Sequence, residues 1–227
     1  ADSVLSYVKY LKKDKNSNAY ITRTLYALKK YCKWRGLDVF DKIEVPALEF
    51  RQVTHTVSTA DIEKLYQNAE PLEKAVLSLL AHTGMRIGEL LKINMGDIDL
   101  KSGTVVIVRK GRRERREVVP LFPSTVRILE EYIGDRKDGR LFPYDYHQLY
   151  WLMKRLEAKA GVEFPRYSFF HNLRHHFVIS QRLAGVALED ASQAVGHVNF
   201  STTVKIYGVL SPDELRARLK EPEWARK

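Results

Sequence analysis

The chain has 227 residues, of which 44% are hydrophobic and 29% are charged. This length suits one large domain or a small domain joined to a larger one, and the composition excludes a disordered chain. The longest apolar runs, such as residues 75–81, are far shorter than the ~20 residues of a membrane-spanning helix. A single cysteine, Cys32, excludes an internal disulfide and a cysteine-rich metal site, so we expect a soluble intracellular protein.

The balance of charge gives the first indication of function. The chain carries 38 lysines and arginines against 28 acidic residues, for a formal net charge of +10. An excess of this size favours a polyanionic partner, and nucleic acid is the commonest one in the cytoplasm. A generically basic protein is the alternative on charge alone.

The N-terminal quarter is predicted to be helical. Apolar residues at helical spacing predict helices over residues 4–13 and 18–35, with Asn18 as an N-cap and Gly36 as a C-cap. We expect residues 1–45 to form a first domain and residues 46–57 to be a linker.

A second domain, residues 58–227, begins at a Ser/Thr cap pattern and contains one predicted hairpin. The strands cover residues 104–108 and 116–119, with Gly111 near the turn. Further helices are predicted near residues 72–82, 86–93, 124–133, 146–160, 170–184, 188–195 and 211–220. The fold class is therefore mainly α with a small antiparallel β-sheet (α+β).

The predicted hairpin is densely cationic. Its six basic residues are Arg109, Lys110, Arg112, Arg113, Arg115 and Arg116. Held on two strands, such side chains could follow a groove of duplex DNA and reach phosphates and base edges. A solvated loop or a localisation signal is the alternative.

Five residues outside the hairpin suit phosphoryl transfer in combination. Arg86 begins a helix, where unpaired N–H groups favour a phosphate, and His171 and Arg174 share one helix face. Two guanidinium groups can bind the oxygens of a phosphodiester, and imidazoles can move protons near neutral pH. A phenol, here Tyr207, can act as the nucleophile, and His197 precedes it closely.

Taken singly, these residues have simpler interpretations. Arg86 could form a surface ion pair, and Tyr207 could be a packing residue. His171 and Arg174 could be a core histidine beside a salt bridge. A metal site at His171 and His175 is a further alternative, although the helix lacks the glutamate of a zinc-protease motif.

Residues 58–227 resemble the tyrosine recombinases, the family of phage integrases and Xer resolvases. The resemblance rests on four motifs, which read HTGMRIGELL, VRKGRRERREVVPL, HNLRHHF and VGHVNFSTTVKIYG. The catalytic positions that these motifs imply are Arg86, Lys110, His171, Arg174, His197 and Tyr207. Residues 1–57 resemble only the later helices and linker of the family's core-binding domain. We therefore expect residues 1–45 to be a partial DNA clamp, either in a shortened chain or in a protein with a reduced clamp.

The resemblance implies a site-specific DNA recombinase that cleaves and rejoins duplex DNA through a 3′-phosphotyrosine intermediate. It implies no cofactor and no metal, a homotetramer (a dimer of dimers) on DNA with a monomer as the free form, and a cytoplasmic, nucleoid-associated protein. A type IB topoisomerase-like enzyme and a catalytically inactive DNA-binding relative are the alternatives.

The family's mechanism assigns a role to each position. Tyr207 would attack the phosphorus while His171 takes its proton, and the two arginines would stabilise the charge on the phosphorane. His197 would donate a hydrogen bond to a non-bridging oxygen, and Lys110 would protonate the departing 5′-hydroxyl. Glu89, one turn after the first arginine, is expected either to orient a catalytic side chain or to be an ordinary surface charge.

Overall fold

The computed structural model describes residues 2–13, 18–37, 57–109, 114–164 and 169–196. The chain divides into two compact units, residues 1–51 and 52–227. The predicted linker spans that division, and all of it except Val57 lies outside the described residues. None of the helices in the described ranges is long and apolar enough to cross a membrane.

Within its described residues, the first unit has two helices, α1 (Asp2–Lys13) and α2 (Asn18–Trp34). Their apolar stripes pack together in a small core made of Val8, Leu11, Ile21, Leu25 and Cys32. The described part of α2 begins at Asn18 and residues 14–17 lie outside the described residues, so the role of Asn18 as an N-cap stays a prediction.

The predicted C-cap of α2 is confirmed. Gly36 has a positive φ of 70°, a conformation that side chains with a Cβ adopt at a cost. This turn lets the Leu37 N–H donate to the Cys32 carbonyl at 2.9 Å and the Gly36 N–H donate to the Lys33 carbonyl at 3.2 Å. The two bonds satisfy carbonyls that the helix end would otherwise leave unpaired.

The described part of the second unit contains seven α-helices and one short 3-10 helix, Met95–Asp97. The α-helices are α3 (Thr59–Asn68), α4 (Pro71–Thr83), α5 (Ile87–Leu90), α6 (Pro123–Ile133), α7 (Tyr146–Ala160), α8 (Phe169–Leu183) and α9 (Leu188–Val195). The Asp61 N–H donates to Ser58 Oγ at 3.1 Å, which confirms the predicted cap at the start of this unit. The helix predicted near residues 211–220 lies outside the described residues.

The helix predicted over residues 86–93 is shorter than expected. It ends at Leu90 because the chain turns to pair with a distant segment. The Leu141 N–H donates to the Ile93 carbonyl, and the Met95 N–H donates to the Gly139 carbonyl, both at 2.9 Å. This non-local pairing explains why helical periodicity overestimated the length.

A three-stranded antiparallel sheet has the order β1 (Ile98–Asp99), β2 (Thr104–Arg109) and β3 (Arg115–Pro120). The predicted hairpin is confirmed, and its strands extend to the pair Arg109–Arg115. The two residues of β1 are too few to give a periodic signal in the sequence. Along β2 the side chains of Val105, Ile107 and Arg109 are buried alternately with more exposed neighbours.

Helix α4 lies at the centre of the second unit, where it packs against α6, α7 and α8. Its apolar residues are buried around the whole helix, as expected for a helix that neighbours surround. A smaller cluster joins α8 to α9 and consists of Phe177, Val178, Ala191 and Val195.

Gly84, the C-cap of α4, brings the start of α5 against α8 and α9. Its φ is 63°, and a Cβ at this position would lie 2.6 Å from side-chain carbons of both Phe177 and Val195. Only glycine allows this approach. The close packing carries Arg86, two residues later, towards the same two helices.

Candidate active site

Arg86 is the N-cap residue of α5, and its side chain is 46% exposed. One of its Nη1 hydrogens is directed to Glu89 Oε1 at 3.0 Å, and its backbone N–H donates to Glu89 Oε2 at 2.9 Å. Glu89 therefore occupies the helix N terminus at which the sequence predicted a phosphate. Because Glu89 is buried, it is not an ordinary surface charge and instead orients Arg86.

Arg174 is only 3% exposed and joins the ends of two helices. Its Nη1 donates to the Gly84 carbonyl at 2.6 Å, and its Nη2 donates to the Val195 carbonyl at 2.7 Å. The first carbonyl lies at the C-cap of α4, and the second closes α9. The guanidinium group is thus held rigidly beside the segment that leads to Arg86.

His171 lies one turn before Arg174 on α8 and is partly accessible to solvent. Partial burial, followed by the positive charges of Arg174 and Arg86, lowers the pKa of His171 below its usual value. Arg174 follows His171 by three residues on the same helix, and its Nη1 donates to the Gly84 carbonyl, two residues before Arg86. Three of the six predicted catalytic residues therefore lie in one region of the second unit.

The other predicted catalytic residues, Lys110, His197 and Tyr207, lie outside the described residues, as do Arg112 and Arg113 of the hairpin. Their roles remain predictions. In the chain, Lys110 directly follows the last residue of β2, and His197 follows the C-cap residue of α9.

The three described hairpin arginines have different surroundings. Arg115 is exposed, and Arg116 is exposed while pairing with Asp97 at 2.8 Å. Arg109 is only 7% exposed, which differs from its predicted role as a DNA contact. Its position on the strand explains the difference, because the alternation that buries Ile107 also directs Arg109 inward.

The Arg109 guanidinium is committed to groups of the protein. It forms a two-point ion pair with Glu117, with Nε 2.5 Å from Oε2 and Nη2 3.1 Å from Oε1. Nη1 donates to the Val195 carbonyl at 2.6 Å, and Nη2 donates to the Ala194 carbonyl at 2.7 Å. Nη1 also lies 3.7 Å from Glu89 Oε2.

Sequence reasoning missed Glu117, although the hairpin contains a signal for it. Arg109 pairs with Arg115, so Glu117 is its diagonal neighbour on the same face of the sheet. Diagonal neighbours in an antiparallel pair are within reach of long side chains. An acidic residue at that register position predicts a cross-strand ion pair.

Gly196, the C-cap of α9, makes room for Arg109. Its φ is 65°, and the Cβ of any other residue at this position would lie 2.5 Å from atoms of the Arg109 side chain. Glycine is thus required both for the left-handed turn and for the approach of the guanidinium group.

The described residues give no support for a metal site at His171 and His175. The two rings meet edge to face with their centroids 4.2 Å apart. Within the described ranges, no group of three histidine, cysteine, aspartate or glutamate side chains could hold a metal ion.

The sequence profile of the Phage integrase family matches residues 55–213. The chain belongs to the Phage integrase family. This membership confirms the resemblance on which the motif assignments rest. Tyrosine recombinase XerA of Thermococcus kodakarensis is similar at 27% identity, and the match covers 95% of this chain and 79% of that protein.

Two solved structures have the same fold as this family member. A crystal structure of XerA recombinase matches with a TM-score of 0.64 and 24% identity, covering 96% of this chain and 83% of that chain. The XerH site-specific recombinase in a pre-cleavage complex with its difH substrate matches with a TM-score of 0.63 and 20% identity. That match covers 87% of this chain and 63% of the XerH chain.

A second pair of histidines lies in the same domain of this integrase-family chain. His82 Nδ1 is 2.7 Å from Thr125 Oγ1, and His176 Nδ1 is 3.2 Å from the Val57 carbonyl. Burial lowers the pKa of both, and the nearby His176 lowers that of His82 further. The folded protein therefore favours the neutral form of both imidazoles.

Replacing Gly196 by alanine is expected to destabilise the protein more than replacing Gly161. Both glycines follow a helix with nearly the same φ, 65° and 64°, but a Cβ at Gly161 would meet no atom within 4 Å. Gly161→Ala should therefore cost only the left-handed strain, roughly 1–2 kcal/mol. Gly196→Ala should cost that amount plus the displacement of Arg109, as measured by chemical denaturation. Equal losses in the two variants would contradict the close packing.

The free energy of unfolding is expected to fall as the pH drops below about 6.5, the ordinary pKa of histidine. Because the pKa values of His82, His171 and His176 are lowered in the folded protein, the unfolded chain binds protons first. Their contribution is complete above the unfolded pKa and is lost as the pH falls through the folded values. Denaturation between pH 8 and 5 measures the slope, which His82→Gln and His176→Gln should each reduce. An unchanged slope in both variants would contradict the assignment.

Proposed function

We propose that the protein is a site-specific DNA recombinase that cleaves and rejoins duplex DNA through a 3′-phosphotyrosine. The observation that carries this proposal is that Arg174 and His171 share one helix face and that Arg174 binds the Gly84 carbonyl, next to Arg86, in a chain of the Phage integrase family. Relatives of the chain are named tyrosine recombinases, which favours recombination over the topoisomerase and inactive alternatives.

The two arginines bind and activate the phosphodiester. Arg86 is partly exposed and can meet the phosphate, while Glu89 fixes the direction of its side chain. Arg174 is held by two carbonyls before any substrate arrives. Donors fixed in advance cost no reorganisation when negative charge develops, which is the largest contribution in many enzymes.

His171 acts as the general base for Tyr207. A phenol has a pKa of about 10, so it must lose its proton during attack. The lowered pKa leaves the imidazole of His171 neutral at pH 7, which is the form that accepts a proton. Its position near both arginines supports a proton transfer next to the bound phosphate.

The chemical step exchanges one phosphodiester for another. The oxygen of Tyr207 forms a bond to phosphorus, the bond to the 5′-oxygen breaks, and Lys110 gives that oxygen a proton. His197 donates a hydrogen bond to a non-bridging oxygen. Attack by the 5′-hydroxyl of another strand reverses the sequence, so the ester bond is conserved and no ATP is consumed.

Duplex DNA is the proposed partner, and a homotetramer built as a dimer of dimers is the proposed assembly on it. The exposed hairpin arginines Arg115 and Arg116, with Arg112 and Arg113 between the strands, supply positive charge for the phosphates. Residues 1–45 are proposed as a partial DNA clamp. The proposed location of the protein is the cytoplasm, in association with the nucleoid.

Wild-type protein should form a denaturation-resistant covalent adduct with a duplex that is nicked near the scissile bond, and Tyr207→Phe should form none. The nick lets the short fragment that carries the released 5′-hydroxyl diffuse away. Because this hydroxyl can no longer reverse the reaction, the phosphotyrosine accumulates. Gel electrophoresis under denaturing conditions measures the adduct. An adduct with the phenylalanine variant would remove Tyr207 from its role, and no adduct with wild type would favour the inactive relative. Strand exchange between two labelled duplexes then separates a recombinase from a topoisomerase.

Lys110→Ala should mainly slow DNA cleavage, whereas Arg113→Ala should mainly weaken DNA binding. Loss of a general acid should slow cleavage at saturating DNA by about 10²-fold or more. Loss of a phosphate contact should weaken binding and reduce the slope of log K against log salt by about 1. Single-turnover cleavage and binding titrations at several salt concentrations measure the two effects. Equal losses of binding in both variants would contradict this division of roles.

A further inference from the structure

The buried Arg109 guanidinium has no role in the reaction steps proposed above. It contacts three elements, namely its own hairpin through Glu117, α5 through Glu89, and the last turn of α9 through two carbonyls. An arginine that only neutralised a carboxylate would not need the α9 contacts. Their lengths, 2.6 and 2.7 Å, are short, as expected for hydrogen bonds from a charged donor.

The carbonyls at the end of α9 suit this arrangement electrostatically. The last carbonyls of a helix have no partner within it and carry the negative end of its dipole. A cation placed there satisfies these acceptors and is itself stabilised. Two guanidinium groups, those of Arg109 and Arg174, share the Val195 carbonyl.

The position of Arg109 in the chain connects these contacts with the proposed catalytic residues. Arg109 is the last residue of β2 and immediately precedes Lys110. The carbonyls that it binds close α9, and the chain reaches His197 after Gly196. One side chain thus joins the two points at which the chain departs towards three proposed catalytic residues, Lys110, His197 and Tyr207.

The geometry points to Arg109 as a positioning residue for strand cleavage. Arg109 anchors the C-terminal end of α9 to the end of β2. This role rests on the proposed function. Arg109 does not touch the DNA. It acts by fixing where the segment after α9 begins, so that His197 and Tyr207 are delivered to the phosphate that Arg86 and Arg174 hold.

Arg136 provides a matched control elsewhere in the same domain. Its Nη1 and Nη2 donate to the carbonyls of Leu141 and Tyr132 at 3.3 and 3.2 Å, beyond the end of α6 and within its last turn. Arg136→Met therefore removes an arginine from a helix end without touching α9.

The test compares Arg109→Met and Arg136→Met in single-turnover adduct formation on the nicked duplex at saturating DNA, with affinity and thermal midpoint measured separately. Arg109→Met should lower the rate by about 10–100-fold, the scale of a displacement of ~1 Å. Its DNA affinity should be unchanged, and Arg136→Met should cleave at the wild-type rate. A wild-type rate for Arg109→Met, or a loss that Arg136→Met shares at the same thermal midpoint, would overturn the role.

A substrate with sulfur in place of the bridging 5′-oxygen identifies the route of action. A thiolate leaves without a proton, so this substrate should restore cleavage by Lys110→Ala and leave the Arg109→Met defect in place. Restoration of Arg109→Met would show that it acts through Lys110 and would overturn the anchoring of α9. Absence of any adduct with wild type would overturn the proposed function and this role with it, whereas a normal rate for Arg109→Met alone would overturn only the role.

Discussion

One backbone carbonyl, that of Val195, accepts hydrogen bonds from two buried guanidinium groups. Arg174 brings α8 to it, and Arg109 brings the end of β2. Through its other contact, with the Gly84 carbonyl, Arg174 also holds the end of α4. The helix ends and the strand end that surround the proposed phosphate are therefore fixed to one another by charge-assisted hydrogen bonds rather than by apolar packing alone.

The same cluster sets the charge of the site. Among the described residues of this cluster, Arg86, Arg109 and Arg174 contribute three positive charges and Glu89 and Glu117 contribute two negative charges, which leaves +1 before Lys110 is counted. Arg109 and Glu89 are both buried, and buried charges demand one geometry because each is costly when it lacks its partner. The residual positive charge suits a singly charged phosphodiester.

Sequence patterns predicted most described helices of the second unit, the hairpin and the grouping of Arg86, His171 and Arg174, because each rests on local periodicity or on a compact motif. They failed where a contact joins distant segments. The run of hairpin cations concealed the alternation that turns Arg109 inward beside Ile107. The carbonyls that receive its guanidinium lie 85 and 86 residues away in the chain, so no local pattern could indicate them.

Hydrogen exchange of the backbone amides in α9 tests the anchoring most directly. The Gly196 N–H donates to the Gln193 carbonyl at 2.8 Å, inside the turn that Arg109 and Arg174 hold. Exchange in this turn should accelerate in Arg109→Met and remain at the wild-type rate in Arg136→Met, while α7 stays equally protected in both. Unchanged protection at the end of α9 in Arg109→Met would contradict the account, because it would show that apolar packing alone holds the helix in place.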